Sequence, residues 1–217
     1  MKGTIFPVLM SKQEGTERKE APGADDDLDT VSRCRRGEVE AYEILVEKYQ
    51  KKMLNLSYRL IGDYEEACEA VQDAFLSAYR SLKNFRGEAR FSTWLYRIVV
   101  NHSKNRLQQV KTRDHREVYS LQDPGGTEEG ARPPDPPDPN PSALEKLEQD
   151  ERDAKVQGCI GGLASEYREV LILRDLQGFS YDEIGDILKI PGGTVKSRLF
   201  RARESLKECL KRALGGL

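Results

Sequence analysis

A chain of 217 residues that is 37% hydrophobic and 33% charged has the balance of a soluble globular protein, with too little apolar material for long buried strands. No run approaches the roughly 18 apolar residues of a membrane span, and the N-terminus lacks the basic start, apolar stretch and small-residue site of a secretory signal, so a cytoplasmic protein without membrane insertion is expected. The net charge of −2 is strongly segregated. Nine Lys or Arg from Lys83 to Arg116 face two acids, eleven acids from Glu117 to Asp153 face three bases, and seven bases from Gly192 to Arg212 face two acids. Two basic patches flanking an acidic connector point toward nucleic acid.

In chain order, residues 1–27 show no sustained period, and their Gly, Glu, Lys and Asp content reads as a disordered extension. A first domain is expected over 28–110. From Tyr42 onward, Leu45, Val46, Tyr49, Met53, Leu56, Leu60 and Ile61 recur at the three-four spacing of one buried helix face, which Gly62 and Asp63 end. A second helix is predicted from Tyr64 to Leu82, with Ala67, Val71, Ala74, Phe75, Ala78 and Leu82 inward and acids near its start, where they suit the helix dipole. The basic loop Asn84 to Arg90 leads to a third helix. Its apolar stripe is Phe91, Trp94, Leu95, Ile98 and Val99, and its other face carries Arg97, Asn101, Lys104 and Asn105.

Six prolines between Pro133 and Pro141 remove amide donors and restrict their neighbours, so 111–143 is read as a flexible, acidic, proline-rich linker. The second domain, 144–217, resumes helical character at Leu144, with interruption expected near Gly158, Gly161 and Gly162, and places a helix from Ser165 to Leu176. Ser180-Tyr181-Asp182-Glu183 has the form of a capping box. A short helix with Ile184 and Leu188 inward, a turn at Lys189 to Gly193, and a helix opening at Thr194 with Val195, Leu199, Ala202 and Leu206 inward make a helix-turn-helix. The fold class is therefore all-α: two small helical domains, the C-terminal one a helix-turn-helix.

The outward side chains Lys196, Ser197, Arg198, Arg201 and Arg203 are donors for phosphates and guanine edges if their helix enters a major groove. Phe85, Phe91, Trp94, Tyr96, Asn101 and Asn105 lie among cations, which suits unstacked bases. Phe91 and Trp94 also continue the core stripe, Phe85 fits either role, and Asn101 is placed either to read a base edge or to face water. Cys34, Cys68, Cys159 and Cys209 form no CxxC pair and are read as reduced packing residues, without disulfide or zinc. His102 and His115 lack ligand spacing, and neither a phosphate loop nor a Ser-His-Asp set is present. No enzyme activity, metal, cofactor or small-molecule substrate is expected.

Tyr42 to Leu107, with the segments Leu45 to Tyr49, Val71 to Phe75, Phe85 to Gly87 and Ser92 to Asn101, resembles the first conserved domain of extracytoplasmic-function sigma factors. Tyr181 to Ile184 and Gly193 to Arg203 resemble the second, and together the likeness covers about two thirds of the chain. The resemblance implies a protein that joins core RNA polymerase, directs it to promoter DNA and helps open the duplex, under an anti-sigma factor that is often membrane-anchored. It implies a polymerase-binding surface of Glu66, Glu69, Gln72, Asp73, Phe75 and Tyr79. It assigns Phe85, Arg86, Arg90, Trp94, Arg97, Asn101, Lys104 and Asn105 to the minus-ten element. Thr194, Lys196, Ser197, Arg198, Phe200, Arg201 and Arg203 fall to the minus-thirty-five element. A free-standing helix-turn-helix regulator is the alternative, and it leaves the Phe85 to Asn105 cluster without a role.

Overall fold

The structure, a computed structural model, describes residues 27–87, 89–120 and 143–214, and all regular structure among them is helical. The elements are α1 (Leu28–Arg35), α2 (Val39–Ile61), α3 (Tyr64–Ser81) with a 3-10 turn at Leu82–Asn84, α4 (Phe91–Ser120), α5 (Ala143–Gly161), α6 (Ser165–Leu171) widening into a π turn at Ile172–Leu176, α7 (Tyr181–Leu188) and α8 (Gly192–Ala213). The disorder expected of 1–26 and the proline run of the linker lie outside the described residues.

In the first domain α2, α3 and α4 pack together around Leu45, Met53, Leu56, Ala74, Ala78, Phe91, Leu95 and Val99, all buried. These are the residues that the three-four spacing placed inward. Asp63 caps α3 by accepting from the Glu66 amide at 2.8 Å, and Gly62 closes α2 in the left-handed conformation that glycine adopts without steric cost. Ser103 donates to Ser57 at 2.9 Å, a buried polar contact between α4 and α2 that neither hydroxyl's sequence surroundings announce.

Several expectations are corrected here. Asp27, assigned to the disordered extension, is buried: its carboxylate accepts from Tyr49 Oη at 2.5 Å and pairs with Lys48 Nζ at 2.7 Å. That anchor, with Val31 and Cys34 buried behind it, holds the unpredicted helix α1 on α2. Helix α4 runs on to Ser120, into the segment read as linker; no proline or glycine stands between Lys111 and Ser120 to stop it. Gly158 does not interrupt α5, whose buried Val156, Cys159 and Ile160 carry the helix past it.

The cysteine reading is corrected too. Cys159 of α5 and Cys209 of α8 are joined by a disulfide, their Cα atoms 5.7 Å apart, whereas Cys34 and Cys68 are free thiols. A separation of 50 residues carries no pairing signal in sequence; only the packing of α5 on α8 brings the two within bridging distance.

The two domains meet along a continuous seam. The π turn carries its i→i+5 bond from the Gln177 amide to Ile172 O, and Arg174 donates to Phe179 O at 2.7 Å, which together present Gln177 and Phe179 to the first domain. Tyr96 of α4 donates to Gln177 Oε1 at 2.8 Å and packs edge-on against Phe179, ring centroids 4.6 Å apart. Burial pushes the Tyr96 phenol above its ordinary pKa. Lys104 pairs with the buried Glu169 at 3.2 Å, Arg59 donates to Gln157 at 3.0 Å, and Arg168 donates to Leu60 O at 2.6 Å.

Candidate nucleic-acid interface

Helix α4 sets out a polar stripe. Arg97, Asn101, Lys104 and Asn105 follow one another at i, i+4, i+7 and i+8, so their side chains lie along one face, and the last three are exposed. Arg90 stands exposed just before the helix, and Trp94 is half-buried on the same side.

Phe85, which fitted either role in sequence, is packed. It is only 6% exposed and sits in an aromatic group with Phe91 (6.0 Å, near-perpendicular) and Trp94 (5.3 Å), extended by Tyr49 against Phe91. A cleft of about 290 Å³ opens beside this group, lined by Asn84, Phe85, Arg86, Thr93, Trp94 and Arg97. Asp186 of α7 and Lys189 of the turn after it complete the lining. The lining thus combines the half-buried Trp94 with the cations Arg86, Arg97 and Lys189, and aromatic rings among cations suit an unstacked base.

In the second domain the capping box forms as the sequence indicates. Ser180 Oγ accepts from the Glu183 amide and Glu183 accepts from the Ser180 amide. Ile184 and Ile187 bury against Val195 and Leu199, and Ile187, which the sequence reading passed over, is the more buried neighbour of Leu188. The turn is tight. Lys189 adopts φ 57°, a left-handed conformation rare for a side chain with a Cβ, and the Ile190 amide returns to Gly185 O at 3.1 Å.

The basic face of α8 divides. Lys196, Ser197, Phe200 and Arg201 project outward, Phe200 being 69% exposed, the one large apolar side chain of α8 that stands exposed among the described residues. Arg201 also reaches Tyr167 Oη at 3.3 Å. Thr194 stands in the first turn, its carbonyl accepting from Ser197 Oγ. Arg198 pairs with Glu166 at 2.7 Å, and Arg203 makes a two-point pair with Asp175 at 2.5 and 3.0 Å, both partners lying in α6 and its π turn. The structure therefore uses Arg203 to brace the helix it stands on. Carboxylates some 30 residues upstream are invisible to a reading of helix face alone.

On α3, Glu69, Gln72, Asp73, Leu76 and Tyr79 line one exposed face, with Leu76 53% and Tyr79 43% exposed and the Tyr79 ring 4.9 Å from that of Tyr42. Two of the residues assigned to that face are placed elsewhere. Phe75 is in the core, and Glu66 is held by Arg106 and Arg113 of α4. Burial raises the Glu66 carboxyl, but the hydrogen bonds from the two arginines outweigh it and keep the pKa below the ordinary range. Leu76, absent from the expected set, stands exposed beside Tyr79 on a face that is otherwise polar.

No cluster of His, Cys, Asp or Glu able to hold a metal occurs among the described residues, and no helix among them is long and apolar enough to cross a membrane.

The family models for Sigma-70 region 2 and Sigma-70 region 4 match residues 45–113 and 153–206, the two domains just described. The chain is 38% identical over 202 residues to the RNA polymerase sigma-H factor of Pseudomonas aeruginosa, covering 86% of this chain and 95% of that protein. It is likewise 38% identical over 184 residues to the ECF RNA polymerase sigma-E factor of Escherichia coli K12, covering 81% and 90%. The chain belongs to the extracytoplasmic-function sigma factors. As such it is a transcription initiation factor, and its two helical domains correspond to the two conserved regions of that family. Among solved structures this sigma factor shares its fold with CnrH, in a complex with the cytosolic domain of CnrY (TM-score 0.59, 22% identity, 85% of this chain and 96% of that one). It does so too with RpoE of Bartonella quintana, in a complex with the anti-sigma factor NepR (TM-score 0.57, 24% identity, 78% and 96%).

Proposed function

We propose that this sigma factor docks on core RNA polymerase through the exposed α3 face of Glu69, Gln72, Asp73, Leu76 and Tyr79, and reads promoter DNA at two places. The observation that carries this reading is the pair of separate polar faces, one on α4 and one on α8, each built on a rigid helix. On α4, Arg97, Asn101, Lys104 and Asn105 line the strand of the minus-ten element, and the cleft beside Trp94 receives an unstacked base. On α8, Lys196, Ser197, Phe200 and Arg201 enter the major groove of the minus-thirty-five element, where Phe200 supplies an apolar contact for a thymine methyl. Arg198 joins them by exchanging Glu166 for DNA, and Arg203 holds the helix in place. The protein works in the cytoplasm, where its polymerase and promoters are, and performs no chemistry of its own. An anti-sigma factor covers the apolar part of the α3 face and keeps it from polymerase until a signal releases it.

The test is run-off transcription on promoter fragments of the same genome with core polymerase, with and without the protein. Discrete starts that require the protein establish the reading; polymerase-free binding to a palindromic duplex without such starts would overturn it. Arg201→Ala should weaken upstream-element binding by about 1 to 3 kcal/mol while leaving polymerase affinity unchanged, measured by competition for core and by promoter binding of the holoenzyme. Equal promoter affinity would take Arg201 out of the interface.

A further inference from the structure

We propose that the Cys159–Cys209 pair is a thiol–disulfide switch that sets how firmly the second domain is held against the first. This goes beyond the sigma-factor reading but rests on it for its consequence in transcription. In the compartment where polymerase works, small thiols keep most cysteines reduced, and a disulfide that forms there is characteristically a transient, sensing one.

The geometry provides for such a bond. Packing alone brings the two Cα atoms to 5.7 Å, while the other two cysteines of the same chain stay free. Cys159 is buried, whereas Cys209, packed against the core from α8, is partly exposed. An external thiolate therefore reaches Cys209 first. Attack there forms a mixed disulfide on Cys209 and expels the Cys159 thiolate, which takes up a proton. A second small thiol then displaces Cys209, so two small thiols become one small disulfide as the protein disulfide becomes two thiols. The reverse reaction uses a small-molecule disulfide as oxidant.

Location gives the bond its reach. Helix α8 packs on α6, on α7 and on α5, and α5 adds Val156, Cys159 and Ile160 to the same buried cluster. Two residues before Cys159, Gln157 accepts from Arg59 and donates to Tyr58 O and Arg59 O, gripping the last turn of α2. The disulfide thus ties the recognition helix to the segment that clasps the first domain. Oxidation fixes α5 and favours the closed seam; reduction loosens α5 and lets the domains part to reach two promoter elements.

The full-length protein would be compared after treatment with oxidised or reduced glutathione, in a Cys34→Ser/Cys68→Ser background that leaves only this pair. Alkylation and mass spectrometry should show the bond formed and broken reversibly. The oxidised form should melt about 10 °C above the reduced form. Run-off transcription should be several-fold higher with the reduced protein. Cys159→Ser/Cys209→Ser should abolish both differences, and because redox treatment acts on an unsubstituted pair, the test survives if that variant folds poorly. Failure of the bond to form under oxidant, or equal transcription from both forms, overturns the switch. Absence of protein-dependent transcription in either form, with the melting difference intact, would instead refute the sigma-factor reading.

Discussion

Replacing Arg168 by alanine is expected to lower the unfolding free energy by about 2 to 3 kcal/mol, since buried carbonyls that lose their donor each cost about 1 to 3 kcal/mol unless water reaches them. The guanidinium is buried and donates to Leu60 O at 2.6 Å, to Leu163 O at 3.1 Å and to Gly161 O. Leu60 lies in the last turn of α2, Gly161 is the last residue of α5, and Leu163 lies in the turn that follows it. The Leu60 and Gly161 carbonyls are among those that a helix leaves without partners, and they are also where the helix dipole favours a cation. One side chain therefore finishes two helices in two domains. Burial lowers its pKa from the ordinary guanidinium value, yet no other side chain keeps a charge so firmly, and the fork of donors reaches carbonyls that a lysine ammonium could not serve together. Arg168→Lys should accordingly recover only part of the loss. Urea unfolding of the three proteins decides it: a midpoint unchanged in Arg168→Ala would mean that water takes over the carbonyls at no cost.

Gly185→Ala is the second large effect, and its sign is diagnostic. In an ordinary helix interior the substitution stabilises by about 1 kcal/mol. Here a Cβ would stand 2.9 Å from Ile190 O, a backbone atom in the turn that the Ile190 amide closes onto Gly185 O. The neighbour cannot swing aside as a flexible side chain would, so overpacking should cost about 1 to 3 kcal/mol and tilt α8 away from α7. Circular dichroism melting should show the loss, and upstream-element binding should fall with it. A variant as stable as the parent would show that the turn has room to widen.

The parts of this molecule that were legible in the sequence are those written in local pattern. The spacing of Leu45, Tyr49, Met53, Leu56 and Leu60 gave α2, the Ser180–Glu183 pair gave the start of α7, and both appear where expected. The exposed stripe of Asn101, Lys104 and Asn105 was likewise legible, because helix periodicity fixes which residues share a face. What was not legible depends on residues far apart in the chain meeting in space. Asp27 became an anchor only because Tyr49 and Lys48 stand opposite it, and Arg203 gained its ion pair only because Asp175 does. Phe85 had two open roles until its contacts with Phe91 and Trp94 placed it in the aromatic group. The disulfide and the seam carry no local signature at all, since neither cysteine spacing nor the sequence around Tyr96 encodes a partner 50 or 81 residues away.

The seam also fixes how any affinity measured on this protein must be read. Tyr96 and Lys104 are already engaged by Phe179, Gln177 and Glu169, so a partner that needs that side of α4 competes with the protein itself. Its observed dissociation constant is the intrinsic constant divided by the fraction of molecules standing open, and a seam worth about 2.7 kcal/mol would weaken apparent binding about a hundredfold with no change in any contact to the partner. Two sigma factors with identical DNA-reading side chains can therefore differ in apparent strength through residues that never touch DNA.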